Sequence, residues 1–268
     1  MNFLDAYLLL YLVVGTFIGF FAGLLGIGGG MMMVPILSAI FTAQQFAPDH
    51  IVHLCLGTAM ASVMFTSSSS VLAHNARGAV DWSIVKSMFL PMIMGTLASS
   101  LASGWIDQKS LALGFVCIVY FGAWQIWTGK KPKPGRTMPS TLWLWLIGFP
   151  IGFICGFVSA GGTFLTVPFM LYSGIAMHTA VGTGAALGIP VALFGTIGFV
   201  LSGWRVGNLP DPHLGFVYLP ALGALVLASV LTAPMGAKLA HKLPTQTLKR
   251  IFALSLFCVA SQMLYKYW

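Results

Sequence analysis

The chain consists almost entirely of long apolar runs that are separated by short polar stretches. Most runs last about 20 residues, the length that an α-helix needs to cross the hydrocarbon core of a bilayer. This pattern predicts an all-α fold, a polytopic membrane helix bundle with very short loops. The predicted segments are 7–25, 31–42, 52–74, 83–104, 109–128, 142–160, 164–174, 178–202, 213–237 and 247–267.

Two of these segments are too short to cross a bilayer as straight helices. Segments 31–42 and 164–174 reach only about 16–18 Å at the helical rise, against a hydrocarbon core of about 30 Å. Each follows a glycine-rich stretch, Gly28-Gly29-Gly30 in the first case and Gly161-Gly162-Thr163 in the second. We therefore predict two glycine-broken helices, either half-helices or short crossings.

The two breaks belong to an internal repeat. When the chain is shifted by 133 residues, Gly28-Gly29-Gly30 falls on Gly161-Gly162-Thr163, and the Val-Pro pair that follows each break also coincides. After a shorter loop in the second half, His53 falls on His178 and Thr58 on Thr183. We interpret the chain as two homologous membrane repeats, 1–129 and 141–268, that are joined by a basic cytoplasmic linker, 130–140.

Composition and charge agree with a membrane protein. Hydrophobic residues make up 58% of the 268 residues and charged residues only 7%, whereas a soluble domain has about 25% charged residues. The mean hydropathy is +0.92. The net charge of +8 comes largely from two loops, 130–136 and 238–250, so we attribute it to the positive-inside rule and expect no nucleic-acid partner.

The direction of the two repeats follows from the same charges. If every segment crosses, both basic loops lie in the cytoplasm and each half has an odd number of crossings, which makes the halves inverted. If the two short segments are re-entrant, the halves are parallel and the basic loops lie on opposite faces, which the positive-inside rule disfavours. We favour the inverted arrangement.

Glycine-interrupted segments at matching positions of two halves are typical of the binding sites of secondary transporters. A helix that starts at such a break presents unpaired backbone N–H groups and the positive end of its dipole, and both attract anions. We predict that substrate binds at Gly28, Gly29, Gly30, Gly161, Gly162 and Thr163. The alternative is that these glycines only allow close helix packing, which is our interpretation of Gly15, Gly19 and Gly23.

Polar side chains near the breaks extend this hypothesis. His53 and His178 each precede a Gly-Thr pair by four residues, a spacing that puts the histidine and glycine on one helix face. We predict that Thr58, Thr183 and the two histidines contact the substrate, against the alternative that they bond helix ends or their own backbone. The Ser67–Ser70 strip either lines the path or bonds locally.

Several kinds of chemistry have no matching residues. The chain has no glutamate, and its five aspartates lie at or near segment ends, so no acid is placed for a proton relay at membrane depth. The four cysteines form no CxxC pair. We therefore predict no enzyme activity, no cofactor and no metal. The expected partners are a small anionic substrate and membrane lipid, and a homo-oligomer stays open.

The glycine breaks and their Val-Pro followers resemble those of the TauE/SafE family of membrane transporters. The resemblance covers nearly the whole chain and is most specific in Gly23–Pro35 and in its second copy, Gly156–Pro168. It implies transport of sulfite, sulfonates such as sulfoacetate, or related organosulfur anions across a cell inner membrane, in either direction. We therefore predict a secondary transporter that works by alternating access of the two halves. The alternatives are an anion or small-solute channel, and a membrane enzyme or assembly factor. The second copy departs from the glycine run, because Ser159-Ala160 stands in place of Gly26-Ile27 and Thr163 in place of Gly30.

Overall fold

The computed structural model describes residues 3–25, 29–128, 138–240 and 245–268. In this structure each predicted segment contains one helix. The fold is a helix bundle, as predicted. A 3₁₀ turn, Pro48–His50, precedes the third helix. In chain order the α-helices are α1 Phe3–Leu25, α2 Gly30–Ala43, α3 Ile51–Asn75, α4 Trp82–Ser103, α5 Gln108–Thr128, α6 Thr141–Phe157, α7 Thr163–Tyr172, α8 Met177–Gly203, α9 Leu219–Ala240 and α10 Thr245–Tyr267.

Five helical stretches of the described chain are long and apolar enough to cross a membrane. The short helices α2 and α7 have 14 and 10 residues, which correspond to about 21 Å and about 15 Å. The lengths agree with the prediction that both fall short of a full span. The five long stretches are Pro48–Asn75, Trp82–Ser103, Gln108–Thr128, Met177–Gly203 and Leu219–Gly236.

The ninth helix begins later than the sequence predicts, at Leu219 and not at residue 213. The apolar run at 213–237 was expected to be helical throughout, but its first part forms a small antiparallel hairpin in which β1, His213–Leu214, pairs with β2, Val217–Tyr218. Gly215 takes a left-handed conformation at the turn, with φ of 55°, which a glycine adopts without steric cost. The helix α9 therefore begins at Leu219.

Glycines bring the first helix of each half against a helix of the other half. A methyl group on Gly15, Gly19 or Gly23 of α1 would overlap the backbone of α9, so the packing interpretation of these three glycines is confirmed. In the second half, Gly152 and Gly156 of α6 have the same relation to the backbone of α4. The two halves are thus interlocked, because each packs its first helix on a helix of its partner half.

The corresponding helices α3 and α8 run in opposite directions along each other. Gly188 of α8 lies against Ser67 of α3. Gly195, which is about two turns later in α8, lies against Met60, which is about two turns earlier in α3. An inverted repeat requires this antiparallel relation between corresponding helices. The inverted arrangement in a membrane stays a prediction, which these contacts support.

Candidate functional site

The first break is a left-handed turn directly before α2. Gly29 has φ of 59° and caps the helix, and its carbonyl oxygen accepts hydrogen bonds from the N–H groups of Met32 and Met33 at 3.1 and 3.2 Å. A side chain on Gly29 would also collide with Ile18 of α1. Glycine is required here both by its backbone conformation and by space. Gly28 lies outside the described residues.

The second break is a different turn, built at the end of α6. The N–H of Ala160 donates to the Cys155 carbonyl at 2.9 Å, and that of Ser159 donates to the Gly156 carbonyl at 3.3 Å, which is the Schellman pattern of a helix end. The left-handed position of this motif usually holds glycine, but here it holds Ser159, with φ of 51°. The Ser159 hydroxyl donates to the Leu56 carbonyl of α3 at 2.7 Å.

The two breaks are in backbone contact with each other. A methyl group on Gly30, the first residue of α2, would overlap the carbonyl oxygen of Ser159, and it would lie 2.8 Å from Val63 of α3. Gly29, Gly30 and the Gly161-Gly162 pair are all buried. Side chains larger than hydrogen on Gly30 would separate the two chain segments. The structure therefore brings together the two breaks that the repeat predicts to be partners.

Gly162 and Thr163, at the start of α7, lie against α8. A methyl group on Gly162 would come within 2.8 Å of the Gly188 nitrogen, so Gly162 serves close packing as well as the break. Thr163 is 2% exposed, and its hydroxyl has no hydrogen-bond partner among the described residues. A buried hydroxyl without a partner is unusual, and a bound ligand or water is one physical reason for it.

A polar face of α3 lies beside both breaks. Ser67 Oγ and the Gly162 nitrogen lie 2.9 and 3.4 Å from the position that a Cβ on Gly188 would take, while Val63, one turn earlier on α3, contacts Gly30. Within the Ser67–Ser70 strip, Ser68 bonds its own helix through the Met64 carbonyl at 2.8 Å. The buried polar side chains on this part of α3 are Ser62, Thr66, Ser67 and Ser70.

Two of these side chains were not singled out from the sequence. Ser62, Thr66 and Ser70 recur every four residues, so they share one helix face. This spacing is the sequence signal that could have identified them. The hydroxyls of Ser62 and Ser70, like that of Thr163, have no hydrogen-bond partner within the part of the chain that the structure describes. Thr66 instead bonds the Val63 carbonyl of its own helix at 3.1 Å.

Three of the other predicted site residues, His53, Thr58 and Thr183, bond helix ends or connections in the structure. His53 Nε2 donates to the carbonyl oxygens of Ser103 and Ile106 at 3.0 and 3.1 Å, because a carbonyl can only accept. His178 is exposed at the start of α8. The His53 contacts fix the end of α4, and a role of either histidine in substrate binding stays a prediction.

Thr58 and Thr183 have equivalent roles in the two halves. The Thr58 hydroxyl accepts a hydrogen bond from the N–H of Tyr218, just before α9, at 3.0 Å. The Thr183 hydroxyl accepts one from the N–H of Asp81, just before α4, at 2.9 Å. Each threonine thus fixes the start of a helix of the other half, α9 for Thr58 and α4 for Thr183. Each oxygen still has its own hydrogen to donate, so substrate contact by these threonines also stays a prediction.

The far end of α2 is held by α10, which the sequence did not indicate. The Lys266 ammonium donates to the Ser38 carbonyl at 2.9 Å and also bonds Thr42. The hydroxyls of Tyr267 and Ser38 are 2.9 Å apart. A cation at the C-terminal end of a helix complements its dipole. The start of α2 lies at the break, and its end is tied to α10.

Among the described residues, the region around the breaks has no buried acid, lysine or arginine. In the described ranges, the buried polar side chains belong to serine, threonine and His53, and none is an acid, a lysine or an arginine. No three histidine, cysteine or acidic residues of these ranges are close enough to hold a metal ion. The starts of α2 and α7 present the positive ends of their helix dipoles at the breaks, and the C-terminal ends of α1 and α6 lie at the same two breaks.

Comparison with known proteins gives the same family as the motifs. The model of the family described as sulfite exporter TauE/SafE matches residues 11–263. A probable membrane transporter protein of Haemophilus influenzae is 32% identical over 261 residues, which cover 97% of this chain and 99% of that protein. The probable membrane transporter protein YunE of Bacillus subtilis is 25% identical, over 95% of this chain and 96% of its own length.

The similarity extends to archaea but not to solved structures. A probable membrane transporter protein of Methanocaldococcus jannaschii is 23% identical over 90% of this chain and 89% of its own. No solved structure gives a significant match. The five long apolar helical stretches are consistent with a multi-pass protein of the inner membrane. The chain therefore belongs to the sulfite exporter TauE/SafE family and is a membrane transporter.

Proposed function

We propose that this protein is a secondary transporter of small sulfur-containing anions, a class that includes sulfite and sulfonates such as sulfoacetate. Transport proceeds by alternating access, in which groups of helices drawn from both halves move relative to each other around the breaks. The substrate binds at the starts of α2 and α7, between α3 and α8. The sulfur class comes from the family resemblance, and the place of binding comes from the contacts around the breaks.

One observation carries the proposal: the start of α2 contacts the turn that precedes α7, beside a buried Thr163 hydroxyl that has no partner in the described chain. Two helix starts in one low-dielectric region attract an anion through N–H groups and aligned dipoles. A hydroxyl that donates to no protein atom is free to donate to an anionic oxygen. This combination suits an oxyanion.

The interlocked packing also suits alternating access. Because α1 packs on α9 and α6 packs on α4, each of these two helix pairs contains one helix from each half. The breaks lie beside α3 and α8, which contact Gly30 and Gly162, and the substrate binds there between the moving groups of helices. Transporters of this general design rock one group of helices against another around a central site.

The test removes the Thr163 hydroxyl without changing the shape of the side chain. Thr163→Val should lower the rate of sulfite efflux from proteoliposomes by about 10-fold or more, because a hydrogen bond to a charged group contributes about 1.5–3 kcal/mol. Protein stability should not fall, since the hydroxyl has no partner to lose. Thr196→Val is the matched control, because the Thr196 hydroxyl bonds only the Ala192 carbonyl of its own helix, at 2.7 Å.

The same vesicles distinguish a carrier from a channel. A carrier shows saturable uptake and counterflow of labelled sulfite against an internal pool, whereas a channel passes current in proportion to voltage. Full transport activity in Thr163→Val at normal protein levels would remove Thr163 from the site. Absence of saturation and counterflow in the unmodified protein would refute the carrier mechanism.

A further inference from the structure

We propose that two matching contacts between the halves, one at each end of the α3–α8 pair, are the gates of this transporter. In the first clamp, Gly57-Thr58 of α3 holds residues 216–218. In the second clamp, Gly182-Thr183 of α8 holds residues 79–81. Transport requires the two clamps to open in turn. This inference rests on the proposed function, because the gates serve alternating access to the site at the breaks.

The first clamp uses both residues of its Gly-Thr pair. The Thr58 hydroxyl accepts a hydrogen bond from the N–H of Tyr218 at 3.0 Å. A methyl group on Gly57 would overlap the carbonyl oxygen of Phe216, so only a glycine lets the hairpin approach α3 this closely. Thr58, Phe216 and Tyr218 are all buried. The clamp therefore holds a connection of the second half, the hairpin before α9, on a helix of the first half.

The second clamp repeats this geometry with the halves exchanged. The Thr183 hydroxyl accepts a hydrogen bond from the N–H of Asp81 at 2.9 Å, and a methyl group on Gly182 would overlap the carbonyl oxygen of Ala79. In both clamps the glycine meets the carbonyl group of one residue, and the threonine binds the N–H group two residues later. The clamped segments differ, because one belongs to a hairpin and the other has no regular secondary structure. The match therefore comes from the two Gly-Thr pairs.

The two clamps lie on opposite sides of the breaks. The breaks meet α3 around Val63 and Ser67, and Thr58 lies about 7–8 Å before Val63 along the helix axis. Gly188 of α8 lies beside Ser67, and the two helices are antiparallel. Thr183 is therefore level with a point about 7–8 Å beyond Ser67. The clamps are about 21 Å apart along α3, with the breaks between them.

Both clamps are closed in this structure. Gly29, Gly30, Gly161 and Gly162, the glycines of the breaks that the structure describes, are buried between them. The structure thus corresponds to an occluded state, and the substrate reaches the breaks only when a clamp opens. A neutral hydrogen bond contributes little net stability, so a clamp held by one such bond opens and closes readily. Simultaneous opening of both would create a leak.

Each clamp holds a helix pair that leads to one break. The first clamp fixes the start of α9, on which α1 packs, and α1 runs into the first break. The second clamp fixes the start of α4, on which α6 packs, and α6 ends at the second break. The positive-inside rule places the connection before α4 in the cytoplasm, since it contains Arg77. The second clamp is then the inner gate and the first clamp the outer gate.

The experiment measures which side of the membrane has access to the breaks. The reporter is Ser67→Cys in a full-length variant without the four native cysteines, because Ser67 is 4% exposed and lies between the clamps. Thr58→Val and Thr183→Val each remove one hydrogen-bond acceptor and keep the side-chain shape. Thr58→Val should raise reporter labelling by an impermeant maleimide about 5-fold in intact cells, and Thr183→Val should do so in inside-out vesicles, since each loses one neutral hydrogen bond.

A second pair of variants opens the same clamps without removing a hydroxyl. Gly57→Ala places a methyl group on the Phe216 carbonyl oxygen, and Gly182→Ala places one on that of Ala79. Each should shift labelling to the same side as the threonine variant of its own clamp. Thr196→Val is the matched control, because the Thr196 hydroxyl bonds only its own helix. It should leave labelling from both sides unchanged.

The outcomes separate the gates from mere fastening of helix ends and from the proposed function. If the variants of both clamps lower the melting temperature but change labelling equally from both sides, or not at all, the gates are refuted. Labelling requires no substrate. If the variants open opposite sides while the unmodified protein shows no sulfite counterflow, the proposed function is refuted and the gates stand. Counterflow without opposite shifts refutes the gates alone.

Discussion

Two residues with the same backbone conformation define the two breaks, although their side chains differ. Gly29 and Ser159 both have positive φ, 59° and 51°, but Gly29 starts a helix and Ser159 ends one. Glycine adopts this left-handed conformation without steric clash, whereas for another residue it is unfavourable by about 1–2 kcal/mol. At Ser159 that cost is offset by the hydrogen bond from its hydroxyl to Leu56 of α3, which ties the second break to the centre of the bundle.

Substitutions at Ser159 separate these two effects. Ser159→Ala keeps the unfavourable backbone conformation and loses the hydrogen bond, so we expect stability to fall by about 1 kcal/mol. Ser159→Gly loses the same hydrogen bond but removes the conformational cost, and its stability should stay close to that of the unmodified protein. The measurement is the melting temperature of the purified protein in detergent. Equal losses in both variants would contradict a conformational cost at Ser159.

At the scale of elements, glycine decides which helices touch. The spacing of Gly15, Gly19 and Gly23 predicts a small-residue face on α1, and the structure packs this face on the backbone of α9. The sequence could not identify α9 as the partner, because a small-residue face fits any helix of suitable shape. The same limit applies to α6, whose glycines pack on α4.

Glycine-to-alanine substitutions test whether close approach stabilises the bundle. Gly19→Ala places a methyl group on the α-carbon of Ser229, so we expect a loss of about 1–3 kcal/mol from overpacking. Gly223→Ala is the matched control on α9, since nothing lies within 4 Å of the added methyl group. There the better helix propensity of alanine should raise stability by about 0.5–1 kcal/mol. Melting temperatures in detergent give both values, and a stable Gly19→Ala variant would contradict tight α1–α9 packing.

At the scale of the whole molecule, the two halves act as one bundle. The first helix of each half packs on the other half, and the corresponding helices α3 and α8 lie antiparallel beside the breaks. The two repeats are consecutive in the sequence, but in the structure their helices pack between each other in one bundle. The proposed binding region lies where the two halves meet, so residues of both halves are needed to form it.

Chemical labelling in cells tests the predicted inversion. In a variant without the four native cysteines, Arg205→Cys should react with a membrane-impermeant maleimide in intact cells, whereas Arg77→Cys should react only after permeabilisation. Both side chains are exposed in the structure, so each serves as the accessibility control for the other once the membrane is opened. The physical reason is the positive-inside rule, which places the Arg77 loop on the same side as the basic linker. Reaction of both positions from the same side would indicate parallel repeats.

The sequence by itself determined the helices, the repeat and the position of both breaks. These features depend on local pattern: runs of apolar side chains, their interruption by glycine, and the recurrence of Gly28–Gly30 as Gly161–Thr163. It also indicated the family, since the glycine motif and its second copy are both continuous in the chain.

Only the tertiary structure decided which polar groups surround the breaks. Thr58 and Thr183 resemble site residues in the sequence, yet their hydroxyls hold the starts of α9 and α4. Ser159 carries no local signal, yet it forms the turn of the second break and bonds the Leu56 carbonyl of α3. The same helix α3 contacts the first break through Val63. The reason is that a hydroxyl takes whichever partner the packing of distant segments brings within reach, and residues far apart in the chain leave no mark of that proximity in its local pattern.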